Sequence, residues 1–420
     1  MRVLISGAGV AGPALAWWLA KAGARITIVE KSHALLPVGQ NIDVNGSALR
    51  IIKKMGLLDE LRRFNTTEKG TAFIDKNGRP FAPFPVKEGS AASPTSEFEI
   101  LRGDLAMVLH GAAKDHPHVD YLLGTTINKV VSNDDKSVKV ELSNGEVQDY
   151  ALLVAADGQW SRVRKQCFPA ESVKVVDKGM YAVYWTLPRL PADNDWWNIY
   201  HALGSRIMSI RPDPHGTMRT CLTRMPCNDA QKVAWEEASR SDRRAQHELV
   251  RKDFADAGWQ AQRFLDSMEH ASDFYFQALQ QIKLAKWSNS RVVCLGDAAY
   301  APTPLTGAGA SLAITGAYVL AGELSRLSAG EHPAKALDAY EHAFRPFVEE
   351  TQNIPWFVPG IAHPATPWKR WMLQSLMATM SRVVAIPWVV NRFGHKTDAE
   401  DFPLPNYPKF GDGDSKVTNS

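Results

Sequence analysis

The sequence is poor in cysteine, nearly balanced in charge and free of long unbroken apolar runs. Only 4 of its 420 residues are cysteine, with no paired metal-ligand spacing, which disfavours a disulfide framework and predicts reduced thiols in the cytoplasm. Lys and Arg number 48 and Asp and Glu 45, without a basic block, so the signature of a nucleic-acid-binding protein is missing. Apolar residues make up 45%, which is ordinary for a globular chain and excludes disorder.

Motifs of two further enzyme classes are also missing. His247-Glu248 lacks the second histidine of the HExxH zinc motif, and no Gly-x-Ser-x-Gly nucleophile elbow occurs. The sequence therefore predicts no metal site and identifies no catalytic nucleophile. No charged and apolar leader precedes the strand-like segment that starts at Arg2, so no targeting peptide is predicted.

The most apolar stretch, 371–393, is interrupted too often to be favoured as a membrane span. It contains Arg382, Arg392, several polar residues and Pro387, whereas a spanning helix needs about 20 predominantly apolar residues. Proline also breaks a helix. We expect a C-terminal helix packed on the body of the protein, with contact to a membrane surface through 371–393 left open as an alternative.

The first thirty residues form the clearest unit of the sequence. A strand-like segment, 3–6, leads into Gly7-x-Gly9-x-x-Gly12, a helical run follows, and a second strand-like segment ends at Glu30. In such a unit the glycines allow a tight turn, close approach of a pyrophosphate and close helix–strand packing. The helix N-terminus attracts the phosphates, and the acid accepts hydrogen bonds from the adenosine ribose. The unit predicts a dinucleotide site, with NAD, NADP and FAD all open.

Two further motifs follow buried strand-like runs far along the chain. Asp157-Gly158 comes after the apolar run 152–156, and Gly296-Asp297 comes after the run 292–295. Continuous apolar runs of this length are expected for strands buried on both faces. Between the two motifs the pattern alternates, which favours an antiparallel sheet. A glycine-rich turn and a long apolar helix from Gly309 follow the second motif.

In carrying GxGxxG, Asp-Gly and Gly-Asp in this order, the chain resembles the single-component flavin-dependent aromatic hydroxylases, which have the para-hydroxybenzoate hydroxylase fold. The resemblance covers roughly residues 1–350, and the segments 42–44, 102–105 and 204–208 are most similar to the tetracycline-inactivating branch. It implies an α/β protein: a Rossmann-like FAD-binding domain with an inserted antiparallel β-sheet substrate domain and a C-terminal helical tail. The implied boundaries are 1–172 and 286–350 for the FAD-binding domain, 173–285 for the substrate domain, and 351–420 for a C-terminal helix and loose tail.

The same resemblance implies which residues hold the ADP half and the phosphates of FAD. Arg102 would bind the phosphate–ribityl region, where a cation offsets negative charge. Asp157 would serve both FAD and a transiently bound nicotinamide cofactor. The residues implied for the ADP half are Gly7, Gly9, Ala11, Gly12, Glu30 and the adjacent Lys31.

The resemblance also implies the surroundings of the flavin ring and of the substrate. Asp297 would accept a ribityl hydroxyl, and Asp43 would lie near the isoalloxazine. Amides at the start of the long helix would stabilise negative charge on the flavin N1/O2 edge. On the substrate side, Arg206 and Tyr184 would contact the substrate. The helix-start residues are Gly307, Gly309 and Ala310.

Simpler interpretations stand beside three of these assignments. Asp157 is also consistent with an ordinary turn residue, and Arg206 with a solvent-facing strand residue. Tyr184 is also consistent with an aromatic residue of the core. The chain further departs from the family pattern at Tyr300, where histidine is usual, and at Ser311, where asparagine is common. These departures affect polar contacts close to the flavin and leave the Gly-Asp motif intact.

The implied activity is that of a FAD-dependent monooxygenase. FAD would be held non-covalently, NADPH or NADH would reduce it, and O2 would form a flavin C4a-hydroperoxide that oxygenates an aromatic, phenolic or polyketide-like small molecule. The cofactor carries this chemistry, so the sequence identifies no catalytic side chain. A flavin-dependent reductase without oxygen insertion, or a non-catalytic nucleotide-binding relative, remains the alternative.

Overall fold

Two large β-sheets organise the fold, which a computed structural model describes for residues 1–86, 98–355, 357–384 and 401–411. The strands are β1 (Arg2–Ser6), β2 (Arg25–Glu30), β3 (Asn41–Asp43), β4 (Gly70–Ile74), β5 (Pro80–Pro85), β6 (Glu99–Leu101), β7 (Val119–Leu123), β8 (Ile127–Asn133), β9 (Val138–Leu142), β10 (Val147–Tyr150), β11 (Leu152–Ala155), β12 (Val173–Pro188), β13 (Trp197–Ala202), β14 (Arg206–Pro212), β15 (Thr217–Arg224), β16 (Tyr275–Leu284), β17 (Ser288–Asn289) and β18 (Val292–Cys294).

Helices cover both sheets. They are α1 (Ala11–Lys21), α2 (Gly46–Lys54), α3 (Leu58–Arg63), α4 (Arg102–Lys114), α5 (Arg162–Cys167), α6 (Asp229–Ser239), α7 (Arg243–Phe254), α8 (Ala261–His270), α9 (Asp297–Tyr300), α10 (Gly309–Ser325), α11 (Ala334–Thr351), α12 (Val358–Ala362) and α13 (Pro367–Val384).

The first sheet has six strands in the order β17-β18-β11-β1-β2-β7, all parallel except β17. Val3, Leu4 and Ile5 in its centre are fully buried, as expected of a parallel strand covered on both faces. Because the carboxyl ends of parallel strands meet at one edge, the turns after β1, β11 and β18 arrive at the same place. The predicted Rossmann-like unit is confirmed.

The second sheet has seven strands in the order β16-β12-β15-β14-β13-β4-β5 and is antiparallel except between β13 and β4. Helices α6, α7 and α8 cover one face, where Met208 and Ile210 pack with Trp235 and Phe254. The predicted antiparallel sheet is therefore present. It also takes β4 and β5 from 70–85, a segment that the predicted boundaries assign to the FAD-binding domain.

The C-terminal region differs from its prediction in one respect. The tail after Pro403 is rich in proline, glycine and aspartate and is predicted to be loose, but within the described residues 401–411, Phe402, Tyr407 and Phe410 are buried in the main core. The Phe410 ring lies 4.6 Å from that of Trp18 on α1, and Tyr407 donates a hydrogen bond to Glu323 on α10 at 2.9 Å. Apolar anchoring thus overrides the local composition.

The predicted C-terminal helix is present as α13, and residues 385–393 of the apolar stretch lie outside the described residues. One side of α13 packs against β5, where Ser381 donates a hydrogen bond to the Pro83 carbonyl at 2.6 Å. Its other side leaves Trp368 and Trp371 exposed. No helix within the described parts of the chain has the length and apolar character needed to cross a bilayer.

Candidate active site

Glycines bring the three predicted motifs into contact where β1, β11 and β18 end. A side-chain carbon placed on Gly7 would lie 3.0 Å from Cα of Asp157, and one on Gly296 would lie 3.2 Å from Cβ of Ala11. Both glycines have positive φ, 108° and 63°, a region that other residues rarely adopt. A carbon on Gly9 would meet nothing within 4 Å. The open side of Gly9 therefore faces a cleft that suits a pyrophosphate.

The carboxylate of Glu30 is fixed beside this turn. Its Oε2 accepts a hydrogen bond from the Ala8 amide at 2.9 Å and its Oε1 accepts one from the Ser32 amide at 3.0 Å. Lys31 follows it with an exposed side chain. Glu30 thus stands at the end of β2 next to the glycine turn, where a ribose acceptor is required.

Asp297 and Arg102 are close enough for their charges to interact, and both residues are exposed. The Asp297 side chain is exposed, although the three residues that follow it are buried. Burial of its surroundings nevertheless raises the pKa of Asp297, and the positive charge of Arg102 opposes that rise. Asp297 is thus accessible to solvent although the residues that follow it are buried. The open side of Gly9 and the exposed Asp297 are the features expected of a site that fits a dinucleotide.

The Asp-Gly loop is structured by Asp157 and by a residue that the sequence analysis missed. Oδ2 of Asp157 accepts a hydrogen bond from the Arg162 amide at 2.8 Å, whereas its Oδ1 is buried without a partner. The buried Arg164 donates to the Ala298 carbonyl at 2.6 Å and to the Gln159 carbonyl at 2.8 Å. Arg164 thus ties the Asp-Gly loop to the Gly-Asp loop. Its position directly after the Asp-Gly motif was the only available signal.

The first turn of α10 lies next to Asp43. Gly307 precedes the helix with φ 64°, and a carbon placed on it would lie 3.9 Å from Oδ2 of Asp43. Ser311, which stands where the family commonly has asparagine, accepts a hydrogen bond from the Asn45 amide at 3.2 Å. The first N–H groups of a helix have no partner within it. Those of Gly309 and Ala310 lie at this partly exposed helix start, so they suit an anionic flavin edge.

Side chains alternate between the two faces of each strand in the seven-stranded sheet, and this places Tyr184 and Arg206 on opposite faces. Val183 and Trp185 pack with the helices, so Tyr184 points to the opposite face, which we call the cleft face. There Tyr184 hydrogen-bonds Cys221, and burial, together with the neighbouring Cys221, raises the pKa of Tyr184 well above its usual value. Tyr184 is therefore a neutral phenol facing the same side as Asp43.

Arg206 is not brought to the cleft face. It shares the helix face with Met208, its guanidinium donates to Oδ1 of Asp256 at 2.6 Å and to the Leu203 carbonyl at 2.8 Å, and it lies 5.9 Å from the centre of the Phe254 ring. The side chain is 10% exposed. The geometry therefore favours a structural role for Arg206 over the predicted substrate contact.

Arg211, five residues further along β14, occupies the cleft face instead. Its Nε and one terminal nitrogen donate to the two carboxylate oxygens of Glu68 at 2.6 and 2.8 Å, and the same terminal nitrogen donates to Glu99. The guanidinium lies 4.2 Å from the centre of the Trp197 ring. Sequence analysis missed this cluster, because its members are separated by long stretches of chain and belong to no motif.

The described residues contain no candidate metal centre that competes with this site. No group of three or more His, Cys, Asp and Glu side chains in the described ranges is arranged to hold a metal ion. Two surface cavities, of about 390 and 160 Å3, lie beside Trp259 and beside Trp287, and neither is lined by Gly7, Asp157 or Asp297. The three motifs and the cleft face therefore define the candidate site.

Comparison with known proteins gives consistent results. The model of the FAD binding domain family matches residues 1–353. The chain is 35% identical to Monooxygenase CTB7 of Cercospora beticola, covering 96% of this chain and 97% of that protein. It is 30% identical to FAD-dependent monooxygenase asL4 of Sarocladium schorii, covering 97% and 98%.

Solved structures share the whole architecture. The tetracycline destructase Tet(51) superimposes with a TM-score of 0.74 at 26% identity, covering 92% of this chain and 98% of that one. HpxO of Klebsiella pneumoniae, complexed with FAD and uric acid, has the same fold, with a TM-score of 0.70 at 18% identity over 90% and 93% of the two chains.

Proposed function

Because this chain belongs to the FAD binding domain family and is a FAD-dependent monooxygenase like its relatives, we propose that it uses NADPH or NADH and O2 to oxygenate an aromatic, phenolic or polyketide-like small molecule. A role in secondary metabolism is part of the proposal, as is non-covalent attachment of FAD. The convergence of the Gly7, Asp157 and Asp297 turns at one sheet edge, beside the cleft face, supports it most directly.

The chain's own residues would bind and orient FAD, which when bound supplies the capacity to activate oxygen. The turn at Gly9 and the N-terminus of α1 would receive the pyrophosphate, and Glu30 the ribose. Arg102 would neutralise phosphate charge and Asp297 would accept a ribityl hydroxyl. The N–H groups at the start of α10 would stabilise negative charge on the flavin edge.

The cleft face of the seven-stranded sheet would hold the substrate above this site. Tyr184 remains a neutral phenol there, so it would donate a hydrogen bond to a substrate oxygen. Tyr275 pairs with it on the next strand and is exposed, which supplies an aromatic surface. Apolar and aromatic walls with few polar groups are typical of small-molecule pockets.

Two parts of the proposal concern location. The four cysteines, all in described ranges, are free thiols, which supports the cytoplasm as a reducing compartment. Contact with a membrane surface through 371–393 stays a prediction.

The test begins with the purified protein. We expect bound FAD that acid denaturation releases completely, bleaching of the flavin by NADPH or NADH, and faster cofactor oxidation with a suitable phenolic compound. Mass spectrometry of the product after reaction under 18O2 should show one labelled oxygen atom. Colour that stays with the acid precipitate contradicts non-covalent attachment. Flavin reduction with a product that carries no label supports a reductase instead.

A further inference from the structure

Three carboxylates surround the single guanidinium of Arg211 on the cleft face. Glu68 is bonded to it through both oxygens, and Glu99 through Oε1. The Glu68 and Glu99 side chains are only 1% and 3% exposed. The third carboxylate is that of Asp43, which lies directly opposite Glu99 in the β3–β6 pair. Among the described residues, Arg211 therefore pairs with both glutamates, and Asp43 from a third segment of the chain lies beside them.

The charges of Arg211, Glu68 and Glu99 do not balance if both glutamates are ionised. Arg211 neutralises one carboxylate, and water is excluded from both glutamates, so a second ionised glutamate would be a buried uncompensated charge. Two carboxylates that share a site do not both ionise readily. Oε2 of Glu99 is also buried without a hydrogen-bond partner. A proton bound between the two glutamates removes the excess charge.

The electrostatics of Glu99 point the same way. Burial raises the pKa of Glu99 well above its usual value; Arg211 opposes that rise, and the negative charges of Glu68 and Asp43 add to it. These three groups are the charged neighbours that face Glu99, from β14, from the segment before β4 and from β3.

We propose that Glu68 and Glu99 share one proton at neutral pH and form a proton-storage site in the wall of the substrate cleft. The step is a proton transfer alone: an oxyanion of the bound substrate takes the proton from the pair, Arg211 then faces two ionised carboxylates, and the half-buried Asp43 passes a replacement proton from solvent to the pair. Asp43 connects the pair to the cleft, because it lies opposite Glu99 and beside Gly307 at the start of α10. This use of the proton depends on the proposed oxygenation, whereas the shared proton itself does not.

The first experiment detects the shared proton without any activity. Infrared spectra of the protein at neutral pH should contain a carbonyl band of a protonated carboxylic acid that shifts in D2O and disappears in Glu99→Gln. The matched control is Glu269→Gln. Glu269 is an exposed carboxylate, and its ion pair with Arg251 lowers the pKa of Glu269. The control should leave the band unchanged. A wild-type spectrum without this band overturns the proposal, and this result requires no variant to fold.

The second experiment uses the pH dependence of stability. Because the folded pKa of Glu99 is raised, its contribution to the free energy of unfolding is complete below the unfolded pKa and is lost as pH rises towards the folded pKa. Glu99→Gln lacks this loss, so its stability relative to wild type should increase with pH from about 4.5 upward. The opposite result, a stability of Glu99→Gln that falls behind wild type as pH rises, means that both glutamates are ionised and overturns the proposal.

The third experiment tests the use of the proton. We expect Glu99→Gln to lower kcat about a hundredfold and to alter its pH profile, while the KM and the FAD dissociation constant stay within about twofold of wild type; Glu99→Asp should restore part of the rate. An unchanged kcat and pH profile would overturn the catalytic use. A protein that shows the infrared band but forms no oxygenated product keeps the shared proton and contradicts the proposed oxygenation.

Discussion

The two faces of the seven-stranded sheet differ in whether their buried tryptophan N–H groups have hydrogen-bond partners. On the helix face, the indole N–H of Trp185 donates to Ser267 at 2.9 Å and that of Trp235 donates to Asp253 at 3.0 Å. On the cleft face, the indole N–H of Trp197 is buried and has no partner. The indole N–H groups on the helix face are thus paired, as buried polar groups usually are in a protein core.

The cleft side of the molecule leaves several other buried polar atoms without partners. Such atoms are rare in folded proteins, and each one is costly unless a water or a ligand satisfies it. On this side the atoms are Asn41 Oδ1, Glu99 Oε2, Asp157 Oδ1, His201 Nδ1 and Thr303 Oγ1. Those of Asp157 and Thr303 lie next to the Asp-Gly and Gly-Asp motifs in the chain, where bound FAD would be placed to satisfy them.

The strongest test of this difference removes Arg206 from the helix face. Arg206→Ala loses charge-assisted hydrogen bonds to Asp256 and to the Leu203 carbonyl, so we expect the free energy of unfolding to fall by about 2–3 kcal/mol. FAD affinity and the fraction of NAD(P)H coupled to product should stay at the wild-type level. Urea denaturation and flavin titration measure the two effects.

Arg240→Ala is the matched control, because Arg240 forms an exposed pair with Glu236 that should contribute less than about 1 kcal/mol. If Arg206→Ala instead kept its stability and lost coupling, Arg206 would act on the substrate and the assignment of the faces would be wrong.

A second test acts at the motif turns. Asp297→Ala removes the acceptor of the Gly-Asp motif and leaves a ribityl donor unpaired, at a cost of about 1–3 kcal/mol, or up to roughly a hundredfold in FAD affinity. The apoprotein should keep its stability, since Asp297 is exposed there. Fluorescence titration with FAD measures the change, and Asp59→Ala on the exposed side of α3 serves as the control. Equal FAD affinity in the two variants would contradict the role of Asp297.

The smallest effect compares two tryptophans directly. Trp185→Phe loses a hydrogen bond worth about 0.5–1.5 kcal/mol, whereas Trp197→Phe loses none within the protein. We expect thermal unfolding to show a destabilisation specific to Trp185→Phe beyond the cost of the smaller ring. Trp197→Phe should instead raise the KM of a substrate that bonds to the indole N–H. Equal destabilisation of both variants would remove the distinction between the faces.

Local patterns were sufficient to predict the cofactor turns. The structure of each turn depends on residues that lie near it in the chain, as the spacing from Gly7 to Glu30 shows. The helix predicted from Gly309 is also present and ends at Ser325. Glycine is required at 7 because a side chain would meet the backbone of Ala156, and at 296 because φ is positive and the side chain of Ala11 lies close. For such elements, sequence and structure carry the same information.

The substrate side could not be read in this way. Side chains on a strand alternate between faces, so the face of Arg206 depends on the sheet's partners and not on its own segment. Arg211 and Glu99 meet only after β14 and β6 have been placed by different sheets. The burial of 401–411 likewise depends on a distant surface, formed by α1 and α10, that its own composition does not reveal.

The packing of residues 401–411 has a consequence for how the protein is made. Asp401 bonds to Ser47 and Arg50 on α2, and Tyr407 fills the space above Gly322 on α10. A ribosome synthesises α1 and α2 long before this segment. Until the segment is made, part of the apolar surface of the cofactor-binding half therefore stays exposed to solvent. Capture of FAD in its final site is therefore expected only after residues 401–411 have been synthesised and packed, and a stop codon before Asp401 would leave that half incomplete.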